Sequence, residues 1–217
     1  MILAACKPLG GNCIDETVKM VNRIVKGLIP SSVAPFLFGA RLVGLVKAEG
    51  GLRPVACGES FRRLAAKLLC NSCQEHFAKT LLKFGQVGVG VAGGLEAAVA
   101  AARRYSCSAE RACGRVLLKL DQKNAFNSIF RSTMLDGVFQ MGFHAIRPYL
   151  KAAYSAPSHL FFGPNIISSE RGVQQGDPAG PVAFAAGCSQ LVNQWAELAG
   201  MEMLFQYLDD ICCAGEA

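Results

Sequence analysis

The sequence predicts an α+β fold in which a short antiparallel sheet packs on helices. Several runs carry apolar residues at helical spacing, and short β-rich runs come in pairs joined by turn residues. Strand and helix do not alternate as a parallel sheet requires. The 217 residues, 52% hydrophobic, suffice to bury one sizeable core or two tightly packed subdomains, and they exclude an intrinsically disordered chain.

Taken in order, Val18, Val21, Ile24, Val25 and Leu28 recur at helical spacing, so an amphipathic helix is expected from Asp15, its N-cap, to Leu28, with Pro30 ending it. Two β-rich runs, Arg41 to Lys47 and Leu52 to Cys57, are joined by Ala48-Glu49-Gly50-Gly51, whose glycines tolerate the positive φ of a tight hairpin. Ser60 is the expected N-cap of a helix to about Leu82, with Phe61, Leu64, Ala65, Leu68 and Leu69 on one face. Gly85 to Gly94 reads as a loop, and Leu95 to about Ser106 as an alanine-rich helix.

Arg115 to Asp121 is a short strand ending in an acid, followed by helices over Ser132 to Phe143 and Ala145 to Tyr154. Leu160 to Phe162 and Ile166 to Ser168 flank the turn Gly163-Pro164-Asn165. A helix is expected from Pro178 through Trp195, then strands over Met203 to Tyr207 and Ile211 to Ala214.

The longest apolar stretch, around Pro181 to Cys188, falls short of the roughly 20 residues of a membrane span, and the N-terminus lacks the pattern of a secretory signal. Ten cysteines are scattered among apolar neighbours without framework spacing, which favours a reducing compartment. Cys70-x-x-Cys73-x-x-His76 lies in a helical run with no second ligand pair at zinc-site spacing, so it reads as packing. Gly88-x-Gly90-x-x-Gly93 fits a dinucleotide fingerprint as a pattern, but no buried strand of a βαβ unit precedes it. The net charge of +6 is uneven: Arg41 to Arg131 holds 15 Lys and Arg against 6 Asp and Glu, a basic half suited to phosphates.

The sharpest feature is Tyr207-Leu208-Asp209-Asp210 between two apolar strands. A hairpin without a task would favour Asn-Gly or Asp-Gly there, because adjacent carboxylates repel, so the pair points to a cation. Asp121 ends another apolar strand, and if that strand lies beside the hairpin the three carboxylates converge. Oxygen ligands without His or Cys suit Mg²⁺, with Mn²⁺ as a substitute. Spacing alone does not separate this from three solvated surface acids.

These residues form an ordered set of motifs. Leu118-Lys119-Leu120-Asp121-Gln122-Lys123-Asn124-Ala125-Phe126-Asn127 resembles the first palm motif of reverse transcriptases. Arg171-Gly172-Val173-Gln174-Gln175-Gly176-Asp177-Pro178 resembles the second, and Tyr207-Leu208-Asp209-Asp210 the third. Gly51-Leu52-Arg53-Pro54-Val55-Ala56 is similar to the fingers motif, and Leu160-Phe161-Phe162-Gly163 to a hairpin of the non-LTR retrotransposon enzymes.

The resemblance implies the fingers and palm of a right-hand polymerase, one domain over residues 1–217 with a fingers-rich part at about 1–114 and a palm core at 115–217. It implies RNA-directed DNA synthesis with two Mg²⁺ ions, an RNA template, a DNA primer and deoxynucleoside triphosphates. Asp121 and Asp209 would be the principal metal ligands and Asp210 a supporting carboxylate. Arg53 would grip the triphosphate, helped by Lys47, and Gln175 and Gly176 would touch nucleotide and template. Phe126 would exclude a ribose 2′-hydroxyl, which disfavours an RNA-dependent RNA polymerase.

Seven residues follow Asp210, and the family's downstream basic motif, primer-gripping hairpin and thumb have no counterpart in them. An exposed apolar palm edge, open to association, is therefore expected. A catalytically silent nucleic-acid-binding or scaffold protein derived from a retroelement is the alternative reading. Either reading implies an intracellular protein, of nucleus or cytoplasm.

Overall fold

The computed structural model describes residues 11–46, 48, 50–109 and 114–216, and divides them between two compact units interleaved along the chain. The first takes in the described part of Met1–Ser72 together with Ala145–Glu170 and Gln175–Pro178; the second comprises Cys73–His144, Arg171–Gln174 and the described part of Ala179–Ala217. The α+β class expected from sequence is observed, with sheets packed on helices. No helix among the described residues is long and apolar enough to cross a membrane.

The first unit opens with α1 (Gly11–Val25), which buries Val21 and Ile24. Asp15 lies inside this helix rather than capping it. The helix ends at Val25, before Pro30, and is closed by Gly27: Gly27 takes φ +66°, and Leu28 N–H donates to Arg23 O at 2.8 Å, a Schellman-type closure. A Cβ on Gly27 would stand 2.5 Å from Pro148 O, so the turn is fixed by a close approach as well as by φ.

After the short α2 (Ala34–Leu37), β1 (Ala40–Val46) and β2 (Leu52–Gly58) form the expected hairpin in antiparallel register from Ala40↔Gly58 to Val46↔Leu52. Gly50 and Gly51 in its loop have φ of +89° and +86°. The sheet order is β2-β1-β4-β5, with β4 (Ser158–Phe162) parallel to β1 and antiparallel to β5 (Asn165–Ser169). Strand β2 lies on the edge, where Pro54 leaves no ladder bond unmade.

Helix α3 (Ser60–Leu81) has the expected length, but its cap and its buried face differ from expectation. Glu59, not Ser60, accepts from the N–H groups of Phe61 and Arg62, at 2.7 and 3.2 Å. Arg62, Ala65, Ala66 and Leu69 are buried, whereas Phe61 and Leu68 are exposed. The face is turned because a buried arginine lies in it, and an apolar pattern assigns arginine to solvent. Helix α7 (Arg147–Tyr154) supplies the tyrosines that meet this arginine.

In the second unit the sheet order is β3-β7-β6, formed by β3 (Arg115–Asp121), β6 (Met203–Tyr207) and β7 (Asp210–Glu216), all antiparallel. Strand β3 is an edge strand, and its Leu117, Leu118 and Leu120 are 38–42% exposed. The helices are α4 (Gly94–Ala109), the one-turn α5 (Ala125–Ser128), α6 (Arg131–Gln140) and α8 (Gly180–Leu198). Helix α8 starts at Gly180 with Pro181 in its first turn, so Pro178 does not begin it.

Helices α6 and α8 touch backbone to backbone, since a Cβ on Gly137 would come within 2.1 Å of Ala186 O. Ile211 and Cys213 are buried on one face of β7. Gln206, on the same face, donates from Nε2 to Ser189 O at 3.1 Å and so ties the sheet to α8. The other face of the sheet carries the acids.

Candidate active site

Antiparallel pairing places Asp121, the last residue of β3, directly opposite Asp210, the first residue of β7. Register partners share a sheet face, so two of the three predicted acids stand side by side. Tyr207 pairs with Asp210 and closes the hairpin, which leaves Leu208 and Asp209 as its two-residue turn. The left-handed conformation falls on Leu208, at φ +58°, rather than on either acid. Asp210 therefore begins the strand instead of lying in the turn.

The condition that β3 lie beside the hairpin is met. Among the described residues, however, no three Asp, Glu, His or Cys side chains come close enough together to hold a metal ion. Asp210 Oδ1 instead lies 3.7 Å from Lys119 Nζ, which shares the Asp121 face two residues upstream. Both side chains remain largely exposed, at 53% and 76%, so this ion pair is weak and displaceable. Asp121 and Asp210, exposed on one sheet face, supply oxygen donors of the kind a hard cation takes, and Asp209 lies half-buried in the adjoining turn.

Phe126 lies five residues beyond Asp121, in α5. Asn124 precedes that helix at φ +54°, a conformation Asn tolerates. The Phe126 ring stacks on Phe184 of α8 at 4.5 Å and 19°, and it is half-buried. Phe126 O accepts from Val173 N at 2.8 Å, and Gly172 N donates to Ile129 O at 3.0 Å. A Cβ on Gly172 would lie 2.5 Å from Phe126 O, so this glycine allows the second palm motif to rest on the first.

The predicted nucleotide-binding residues Arg53, Gln175 and Gly176 belong to the first unit. Arg53 is exposed on β2. Three residues along, Ala56 N donates to Gln175 O at 2.7 Å, so the second half of the Gln175-Gly176 motif extends the free edge of β2. Gly176 has φ +120°, and a Cβ there would meet Ala56 O at 2.5 Å. Lys47 lies outside the described residues.

The next residue, Asp177, anchors this segment. Its Oδ2 accepts from Arg62 Nη2 and from Tyr154 Oη, both at 2.6 Å, and Tyr149 Oη lies 3.3 Å away. Arg62 Nη1 also donates to Phe38 O at 2.7 Å. All four side chains are buried. Burial opposes the Arg62 charge, but the Asp177 carboxylate beside it outweighs that opposition and raises the arginine above its ordinary value. Burial first and Asp177 second push both phenols above theirs, so they stay neutral donors.

Sequence reading counted Arg62 in the basic surface, and nothing local to an Arg-Arg pair on a helix marks one of them as buried. It also missed Gln86, which is fully buried in the second unit. Gln86 Oε1 accepts from Leu208 N and from Gly88 N, each at 2.9 Å. Of the Cys70, Cys73 and His76 run, Cys70 Sγ donates to Pro178 O at 3.5 Å and His76 packs edge-on against Phe143.

A family model described as reverse transcriptase (RNA-dependent DNA polymerase) matches residues 45–217. The retrotransposable element SLACS 132 kDa protein of Trypanosoma brucei gambiense is 25% identical over 205 residues, which make up 92% of this chain and 17% of that protein. Among solved structures, telomerase from Candida albicans in complex with a TWJ fragment of telomeric RNA superposes with a TM-score of 0.60 at 10% identity, over 86% of this chain and 38% of that one. Apo telomerase from Candida tropicalis gives 0.56 at 10% identity, over 95% of this chain and 44% of that one. At such identity these two likenesses speak for the fold alone.

Proposed function

The chain belongs to the reverse transcriptase (RNA-dependent DNA polymerase) family, and on that footing we propose that it is the catalytic part of an RNA-directed DNA polymerase of retroelement origin. It would join deoxynucleotides to a DNA primer on an RNA template, in the nucleus or cytoplasm. We read residues 1–217 as one domain, fingers-rich to about residue 114 and palm core thereafter. The observation that carries the proposal is the register Asp121↔Asp210 on one sheet face, with Asp209 in the adjoining turn.

Asp121 and Asp209 would hold Mg²⁺ with support from Asp210, and the bound metal would activate the primer hydroxyl and neutralise charge on the leaving pyrophosphate. The loose, exposed contact of Lys119 with Asp210 would leave that carboxylate free to serve as a ligand. Arg53 offers a planar fork of donors that fits phosphate oxygens and cannot lose its charge, and Lys47 would add a second positive charge. Gln175 would present donor and acceptor to the base pair being formed, beside the bare backbone of Gly176. Phe126, fixed by its stack on Phe184, would exclude a 2′-hydroxyl by contact. The exposed edge of β3 offers a surface for association.

The test is Mg²⁺-dependent extension of a DNA primer on an RNA template, with deoxynucleotides and ribonucleotides in parallel. Extension by deoxynucleotides only, reduced about a thousandfold or more in Asp209→Ala, is expected from the loss of several kcal/mol of transition-state stabilisation. Ribonucleotide incorporation would make the protein an RNA polymerase. A folded chain that binds RNA–DNA hybrid but extends nothing would be a binding module.

A further inference from the structure

The glycine-rich stretch after α3 fits no dinucleotide site, yet its backbone is laid closely along the acid-bearing hairpin. Gly85 has φ +74°, and a Cβ there would stand 2.8 Å from Leu204 O; a Cβ on Gly88 would stand 2.9 Å from Leu208 N. Between them, Val87 N donates to Gln206 O and Gln206 N donates to Gly85 O, each at 2.8 Å. Side chains at residues 85 and 88 would push the loop off the hairpin. Their absence brings Gln86 to the turn.

We infer that Gln86 is a positioning residue for the turn bearing Asp209 and Asp210, holding the left-handed backbone of Leu208 in place. Its Oε1 accepts from Leu208 N at 2.9 Å, and its Nε2 lies 3.5 Å from Leu208 O, so one amide spans both polar groups of that residue. The amide is itself fixed, since Oε1 also accepts from Gly88 N at 2.9 Å and Nε2 lies 3.4 Å from Ser189 Oγ of α8. Gln86 and Ser189 are both fully buried. A bulky residue at positive φ is costly and persists only where its surroundings hold it. The β6–β7 ladder closes a two-residue turn that asks for positive φ, Leu208 is a residue that resists it, and the Gln86 amide supplies the hydrogen bonds that hold it there.

The functional half of this inference rests on the polymerase reading: a turn held rigidly presents Asp209 and Asp210 in one geometry, and small misplacement of reacting groups costs large factors in rate. Gln86→Met keeps the length of the side chain and removes its donors and acceptors, whereas Gln86→Glu keeps an acceptor for Leu208 N. Two readouts separate the halves. Hydrogen exchange at the Leu208 amide should accelerate about tenfold or more in Gln86→Met, with the Cys213 amide in the same sheet unchanged. In primer extension, kcat should fall about tenfold to a hundredfold while KM for deoxynucleotide moves within about twofold, and Gln86→Glu should recover part of the loss.

Gly88→Ala provides a second route, because its methyl group would force Gln86 and Leu208 apart without deleting either. It should reproduce the exchange and the kcat loss. Unchanged Leu208 exchange in both Gln86→Met and Gly88→Ala would overturn the inference, as would equal acceleration at Leu208 and Cys213, which marks general destabilisation. A wild-type chain that extends no primer would sink the polymerase reading instead, and the exchange comparison would still decide whether Gln86 holds the turn.

Discussion

Asp177 and the pair Asp121 and Asp210 are the same residue type, within motifs of the same family, in opposite physical states. Asp177 is buried, and its carboxylate receives a guanidinium and two phenols. Asp121 and Asp210 stand exposed at the end of a sheet, and among the described residues Asp210 makes a loose contact to Lys119. The first carboxylate is committed to the fold, and the second pair faces solvent. Charge satisfied by the fold contributes to structure, and charge the fold leaves unsatisfied is available for chemistry.

The comparison is broken most sharply by removing one acid of each kind. Asp121→Ala is expected to reduce primer extension about a thousandfold or more, and denaturant titration should show its stability within about 0.5 kcal/mol of the parent. A large loss of stability would mean that Asp121 is structural. Asp177→Ala is expected to behave the other way, costing about 3–5 kcal/mol because it strands the buried Arg62 charge. The gentler Tyr154→Phe should cost less, by roughly the worth of one hydrogen bond to a charged group, about 1.5–3 kcal/mol.

The smallest expected effect is alkaline. Burial and then Asp177 raise Tyr149 and Tyr154, so these phenols stay neutral in the fold while the unfolded chain ionises them above about pH 10. Their contribution is fully present below that pH and is lost as pH rises through the raised folded values. Cys188, pushed up to about 11 by burial, adds a loss of the same sign beginning near the ordinary thiol value of 9.0. Urea midpoints should be level from about pH 7 to 8.5 and fall above about pH 9, less steeply in Tyr154→Phe. An increase of stability with alkali would contradict the network.

Much of the molecule was legible in the chain. Local chemistry set the β1–β2 hairpin and the bounds of β3, because apolar alternation and turn residues act over a few positions, whereas the second hairpin turned one residue earlier than expected, with Asp210 already in the strand. Errors fell at helix ends and on one helix face. Glu59 took the cap expected of Ser60, Gly27 stopped α1 before Pro30, and Arg62 turned the buried side of α3. A cap depends on which of two neighbouring oxygens meets the exposed N–H groups, which residue type alone does not choose.

The sequence by itself determined the α+β class and the order of the motifs. The class follows from short-range periodicity, and the motifs from their resemblance to those of the reverse transcriptases. Only the tertiary structure decided that Asp121 faces Asp210, that Asp177 is sealed by Arg62 and Tyr154, and that Gln86 grips Leu208. Those contacts join positions 89, 115, 23 and 122 residues apart, respectively. A buried polar group is identified by the partner that satisfies it, and here that partner is brought near only by the path of the folded chain.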